Sequence, residues 1–114
     1  MQYDLEKRTG DFGIKIISFL KKLPVDHISK PLVSQLVRSS TSIGANYMEA
    51  NEAASKKDFY NKIRICQKES NETKHWLRML AEVFPEEAGS LQKFWAEAHE
   101  LTLIFAKISK SNGN

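Results

Sequence analysis

The stretch Phe59-Tyr60-Asn61-Lys62-Ile63-Arg64-Ile65-Cys66-Gln67-Lys68-Glu69-Ser70-Asn71-Glu72-Thr73-Lys74-His75-Trp76-Leu77-Arg78-Met79-Leu80-Ala81-Glu82-Val83-Phe84-Pro85 decides the fold. Phe59, Ile63, Cys66, Ser70, Thr73, Leu77, Leu80 and Phe84 recur at alternating steps of four and three. A chain turning every 3.6 residues gathers such positions into one stripe, so the spacing predicts a long amphipathic helix. Ser55-Lys56-Lys57-Asp58 ahead of it reads as a capping box, with Asp in place of the usual Glu. Phe84-Pro85 ends it, because the residue before proline is steered out of the α region.

The same period extends on both sides. Toward the N-terminus, Leu5, Thr9, Phe12, Ile16, Phe19 and Leu23 form one stripe that stops at Pro24. Gly10 and Gly13 interrupt it at a cost of roughly 0.5–1 kcal/mol each. They read either as a site of close helix contact or as tolerated surface glycines. A second helix is expected from Ser29 as N-cap, with Pro31 in its first turn. Its stripe is Leu32, Leu36, Ser39, Ile43, Tyr47 and Ala50, and Val33, Val37, Ser40 and Gly44 lie beside it. The run Ser39-Ser40-Thr41-Ser42 has loop-like propensity, yet the register passes through it unbroken, and hydroxyls can bond back to helix carbonyls. Beyond Pro85, Glu86 and Glu87 suit a helix N-terminus, and Leu91, Phe94, Ala98, Leu101, Phe105 and Ile108 form the last stripe. The polar tail from Ser109 to Asn114 is expected to fray.

These segments predict an all-α, antiparallel up-down-up-down four-helix bundle. The expectation is a single domain over residues 1–114, with helices at about 4–23, 30–53, 56–83 and 87–109. At 114 residues the chain suffices for one core and is too short for two ordinary domains. A single cysteine, Cys66, excludes an internal disulfide, and its place on the core stripe reads as filler rather than nucleophile. No run approaches the roughly 18 apolar residues of a membrane span. The first residues lack the apolar core of a secretory signal, so the cytoplasm is the expected compartment and no membrane partner is expected.

Little in the sequence points to a reaction. Glu72-Thr73-Lys74-His75 is a lone Glu-x-x-His, whereas a di-iron bundle needs two plus two further Glu. His27, His75 and His99 with one Cys have no zinc spacing. There is no glycine-rich phosphate loop after a strand. The Arg-to-His spacing of small helical ribonucleases is absent, since Arg64 and His75 stand too far apart. No catalytic residue, metal or cofactor is expected.

Antiparallel pairing about a turn near Ala54-Ser55 sets Arg38 opposite Glu72, Asn46 opposite Arg64, and Glu49 near Tyr60 and Ile63. Arg38, Ser42, Asn46, Glu49 and Glu72 are thus expected to form a semi-buried polar layer, with Arg38 paired to Glu72. Such a layer serves either a ligand site or the fixing of helix register. Ile65, Trp76 and Met79 form a second apolar row, which reads as a subunit interface or as wide packing within the monomer.

Charge is uneven. Residues 54–78 hold 7 basic and 3 acidic residues, whereas residues 79–114 hold 3 and 5, within a net charge of +3. Lys56, Lys57, Lys62, Arg64, Lys68, Lys74 and Arg78 are therefore the candidate contacts to nucleic-acid phosphates. A merely solvated helix face is the alternative, and acidic Glu86, Glu87, Glu97 and Glu100 would repel RNA.

The run from Gln35 to Ala50, with its Arg38-Ser39-Ser40-Thr41-Ser42-Ile43-Gly44-Ala45-Asn46-Tyr47-Met48-Glu49 centre, resembles the signature of the four helix bundle protein family. The founding members of that family are encoded by intervening sequences in bacterial 23S ribosomal RNA genes. Ser55-Lys56-Lys57-Asp58-Phe59 and the run Lys68 to Leu77 resemble its third-helix motif, and the likeness extends from Tyr3 to about Lys107. Ala50 departs from the glycine that many members carry. The resemblance implies a bacterial, cytoplasmic homopentamer without enzymatic activity, whose recurrent polar positions match Arg38, Ser42, Asn46, Glu49 and Glu72. It is also similar to the accessory variability determinant of diversity-generating retroelements. That similarity implies RNA, a ribonucleoprotein or a reverse transcriptase as partner, and a protein-interaction scaffold remains the alternative.

Overall fold

The computed structural model describes residues 4–111; Met1 to Tyr3 and the tail beyond Ser111 lie outside the described residues. Four helices form where the stripes predict them: α1 (Leu5–Leu20), α2 (Ser29–Asn51), α3 (Lys56–Val83) and α4 (Ala88–Lys110). A 3-10 turn over Pro85–Glu87 leads into α4. Close contacts run from α1 to α2, α2 to α3 and α3 to α4, the order of an up-and-down bundle. At about 1.5 Å per residue the 28 residues of α3 reach about 42 Å, nearly the full long axis of 44 Å.

The helix ends follow from their capping chemistry. Asp4 accepts from the Lys7 amide at 3.1 Å, and Ser55 Oγ accepts from the Asp58 amide at 3.0 Å. The second helix does not begin with Ser29 as its N-cap. Asp26 holds that role: its carboxylate accepts from the Ile28 and Ser29 amides at 3.0 Å each, while the Asp26 amide donates to Ser29 Oγ at 2.9 Å. This reciprocal pair is a capping box with Asp first and Ser last. The hydrogen bonds to Ser29 lower the Asp26 carboxyl below its ordinary value. The first helix stops at Leu20, short of the expected Leu23. The Lys22 and Leu23 amides turn to the carbonyls of Phe19 and Leu20, three residues back, and the last turn tightens before Pro24.

The core is the sum of the four stripes. Leu5, Phe12, Ile16, Leu36, Ile43, Ile63, Cys66, Leu77, Leu80, Leu91, Leu101 and Phe105 are buried together. Ser39, Ser40, Ser70 and Thr73 are buried with them. Each hydroxyl finds a carbonyl three or four residues back: Thr41 donates to Val37 at 2.7 Å, Ser42 to Arg38 at 2.6 Å, and Ser70 to Cys66 at 2.8 Å. Thr73 also donates across to Ser39 Oγ at 2.9 Å. The serine-rich run is helical because its polar groups are satisfied within the helix, and its small side chains let α2 and α3 approach.

Glycine sets the α1–α2 distance. A Cβ on Gly13 would lie 3.5 Å from Thr41 Cγ2, and one on Gly44 would lie 3.3 Å from Thr9 Oγ1. Nothing stands within 4 Å of such a carbon on Gly10. Gly13 and Gly44 thus mark the close approach, while Gly10 contributes only its backbone to it.

Candidate nucleic-acid interface

Helix pitch distributes the seven candidate cations unequally. Lys57, Arg64, Lys68 and Arg78 lie on the side of α3 away from the core stripe and are exposed, together with Asn61, Asn71 and His75. Among the exposed residues of α3, acids occur only near its two ends, at Asp58 and Glu82. From Asn61 to Arg78 the exposed ridge carries no acid over about 26 Å. Lys56 is exposed in the first turn, where a positive charge opposes the helix dipole.

Two of the seven face inward to neighbouring helices. Lys62 pairs with Glu49 of α2 at 2.6 Å. Lys74 reaches α4, where its ammonium donates to His99 Nδ1 at 3.1 Å and lies 5.2 Å from the Trp95 ring centre. That donation requires the His99 proton on Nε2. Trp95 and His99 stack at 5.1 Å and 16°. This half-buried aromatic pair was not among the sequence-level candidates. Its only signal is the four-residue spacing of two aromatic rings on the last helix.

The expected polar layer divides into three parts. Arg38 joins both Glu69, at 3.1 Å, and Glu72, and its Nε donates to Gln35 at 2.9 Å. Glu72 also accepts from Trp76 Nε1 at 2.9 Å. Glu69, the most enclosed carboxylate of this clasp, went unrecognised because it lies one step off the core stripe and reads as a surface acid. Ser42 and Asn46 turn back on their own helix, with Asn46 Nδ2 donating to the Ser42 carbonyl at 2.8 Å. Asn46 does not meet Arg64, which lies on the outer ridge and binds Asn61 at 3.2 Å. Glu49 is exposed and belongs with Lys62.

The second apolar row is not an exposed face. Ile65, Trp76 and Met79 are half-buried, and the Trp76 ring packs against the core. The large exposed apolar residues are elsewhere: Ile14, Ile17 and Met48 border a shallow groove of about 290 Å³ along α1 and α2, Val25 and Ile28 lie between those helices, and Leu103 projects from α4.

Chemically, the site offers positive charge, amides and aromatic faces. Burial pushes the Cys66 thiol up to about 12, and its Sγ contacts the Ile43 carbonyl oxygen at 3.5 Å. A thiol so placed is not a nucleophile at neutral pH. Among the described residues no three of His, Cys, Asp or Glu converge as a metal ligand set. Within those residues no helix is long and apolar enough to cross a membrane.

The fold and this surface define an up-and-down four-helix bundle with a basic outer ridge and a charged clasp between its two central helices. The chain belongs to the 23S rRNA-intervening sequence protein family, whose model matches residues 2–106. It is also similar to the crystal structure of a protein of unknown function from the S23 ribosomal protein family of Bacteroides thetaiotaomicron. That similarity has a TM-score of 0.83 and 31% identity, over 92% of this chain and 97% of the other. No protein with a curated description matches.

Proposed function

We infer that this protein is a non-enzymatic, homo-oligomeric module of the bacterial cytoplasm that binds RNA or a ribonucleoprotein through the outer ridge of α3. The observation that carries the reading is the ridge itself: Lys57, Arg64, Lys68 and Arg78 are exposed on one side with no acid among the exposed residues between Asp58 and Glu82. Lys56 extends it at the N-terminal end. Lys62 and Lys74 contribute less, being engaged by Glu49 and His99. Trp95 and His99 beside Lys74 add aromatic faces on which an unpaired base can stack. The clasp of Arg38, Glu69 and Glu72 serves register rather than binding, since its groups satisfy one another. Assembly into a homopentamer, and a reverse transcriptase as protein partner, rest on the family likeness.

Filter binding to a structured RNA at two salt concentrations tests the reading. Affinity falls steeply with salt, with a logarithmic slope of about −0.7 to −0.9 per phosphate engaged. Arg64→Glu, Lys68→Glu and Arg78→Glu together flatten that slope and weaken binding. Absence of binding at low salt, or binding indifferent to salt, overturns it.

The exposed Ile14, Ile17 and Met48 favour a second reading, a protein-interaction scaffold without nucleic acid. Sedimentation separates the roles. Ile14→Ser with Met48→Ser lowers the assembly state if that face joins subunits, and leaves RNA binding by the ridge of each chain measurable.

A further inference from the structure

The first and last helices bound a groove that the binding ridge does not use. Close backbone contacts run α1–α2, α2–α3 and α3–α4, while α1 and α4 hardly approach. The cause is side-chain size. Gly13 and Gly44 draw α1 onto α2, whereas the α1–α4 seam is propped by long and aromatic groups. Arg8 and Glu97 form a two-pronged bridge at 2.7 and 2.8 Å. Phe94 meets Phe19 at 5.4 Å and Phe12 at 6.3 Å, both edge to face. The seam leaves a groove of about 790 Å³ floored by these three rings. That volume lies within the roughly 300–1,000 Å³ of small-molecule sites, which favour apolar walls with few polar groups.

The charges on its banks specify the ligand. Of the cations lining the groove, Lys7 is tied to Asp11 at 2.7 Å and Arg8 to Glu97. Lys15 and Lys93 make no hydrogen bond or close ion pair among the described residues. The Arg8–Glu97 bridge fixes the antiparallel register, which sets Lys15 and Lys93 on opposite banks within about 5 Å along the axis. Their acidic neighbours one turn away, Asp11 and Glu97, are already engaged by Lys7 and Arg8. Two ammonium groups without a close ion pair, of which Lys15 acts on Asp11 only from beyond ion-pair distance, therefore flank the aromatic floor in the half of the groove that holds Phe19, Ser90 and Phe94.

We propose that the α1–α4 groove binds a small amphiphilic anion, a medium-chain carboxylate, with its apolar body on Phe12, Phe19 and Phe94 and its head between Lys15 and Lys93. The paired charges at the far end supply no such asymmetry, so the head is placed at the lysine end. The site is separate from the α3 ridge, and its occupancy does not depend on RNA binding.

Isothermal titration of the full chain with decanoate, kept below micelle formation, tests this. One molecule binds per chain, and decyltrimethylammonium, with the same tail and the opposite head, does not bind. Lys15→Ser with Lys93→Ser weakens decanoate binding about tenfold or more, in keeping with loss of charge-assisted hydrogen bonds. These exposed positions leave the thermal melt unchanged. Lys21→Ser with Lys22→Ser removes the same charge outside the groove and leaves binding intact. Equal binding of the cationic tail, equal loss in both lysine pairs, or no saturable binding overturns the proposal. So does failure of the assembled protein to bind, since another copy of the chain would then cover the groove.

Discussion

Replacement of Arg38 by alanine probes the clasp between α2 and α3 most directly. Arg38 binds Glu69 at 3.1 Å and also Glu72, and among the described residues only Glu72 has a second donor, Trp76 Nε1. Removing the guanidinium strands the Glu69 carboxylate, whose side chain is 12% exposed. A hydrogen bond to a charged group contributes about 1.5–3 kcal/mol, and breaking a fully buried ion pair costs about 3–5 kcal/mol. Arg38 is 43% exposed, so water enters where it was, and the expected loss is about 2 kcal/mol. For a chain of this length that corresponds to a fall in Tm of about 8 °C. Urea unfolding followed by circular dichroism at fixed protein concentration reads the change, with an unchanged denaturant slope as the sign of a pure stability effect. Arg64→Ala, on the exposed ridge, changes stability by no more than about 0.5 kcal/mol. Adding Glu69→Leu to Arg38→Ala recovers more than half of the loss, because the stranded charge is gone. If Arg38→Ala is as stable as the parent, the clasp does not hold α2 against α3.

The other predictions follow from local geometry. Gly10→Ala raises stability by about 0.8–1 kcal/mol through helix preference, since nothing meets the new carbon. Gly44→Ala gains less or loses, because its Cβ lies 3.3 Å from a Thr9 hydroxyl that is already bound to the Leu5 carbonyl; thermal melts of both variants decide. Cys66, with its thiol pushed up to about 12, does not react with Ellman's reagent at pH 8 in the folded protein and reacts once guanidinium unfolds it. Asp26 has a lowered carboxyl pKa, so its ionised form favours the fold. That contribution is present above the ordinary value of 3.8 and fades as pH falls through the folded value. Asp26→Ala therefore lowers Tm at pH 7 and loses its effect in acid, as melts across the pH range measure.

Much of this architecture was legible because it is local. The α3 register from Phe59 to Phe84 depends only on the 3.6-residue turn and survived into the structure residue by residue, with Ile63, Cys66, Ser70, Thr73, Leu77 and Leu80 all buried. Antiparallel pairing then brought level residues together, as in Arg38 with Glu72, Ser39 with Thr73 and Cys66 with Ile43. The candidate site was less legible. Glu69 became part of the clasp only because the Arg38 guanidinium reaches two carboxylates that lie three residues, about one turn, apart on α3. Lys62 and Lys74 left the ridge because Glu49 and His99 lie beside them on neighbouring helices. Asp26 displaced Ser29 as cap because each satisfies the other, an arrangement that spacing alone does not rank above its alternative.

The sequence by itself determined four amphipathic helices, their order, and the inward face of each, since hydrophobic period and capping chemistry act within a few residues of their own position. The tertiary structure decided how far apart the helices stand and therefore which surfaces remain available. Gly13 and Gly44 bring α1 against α2, while Phe12, Phe19, Phe94 and the Arg8–Glu97 bridge hold α1 off α4. Those separations depend on side-chain volumes contributed by two helices at once, a quantity that no single stripe contains.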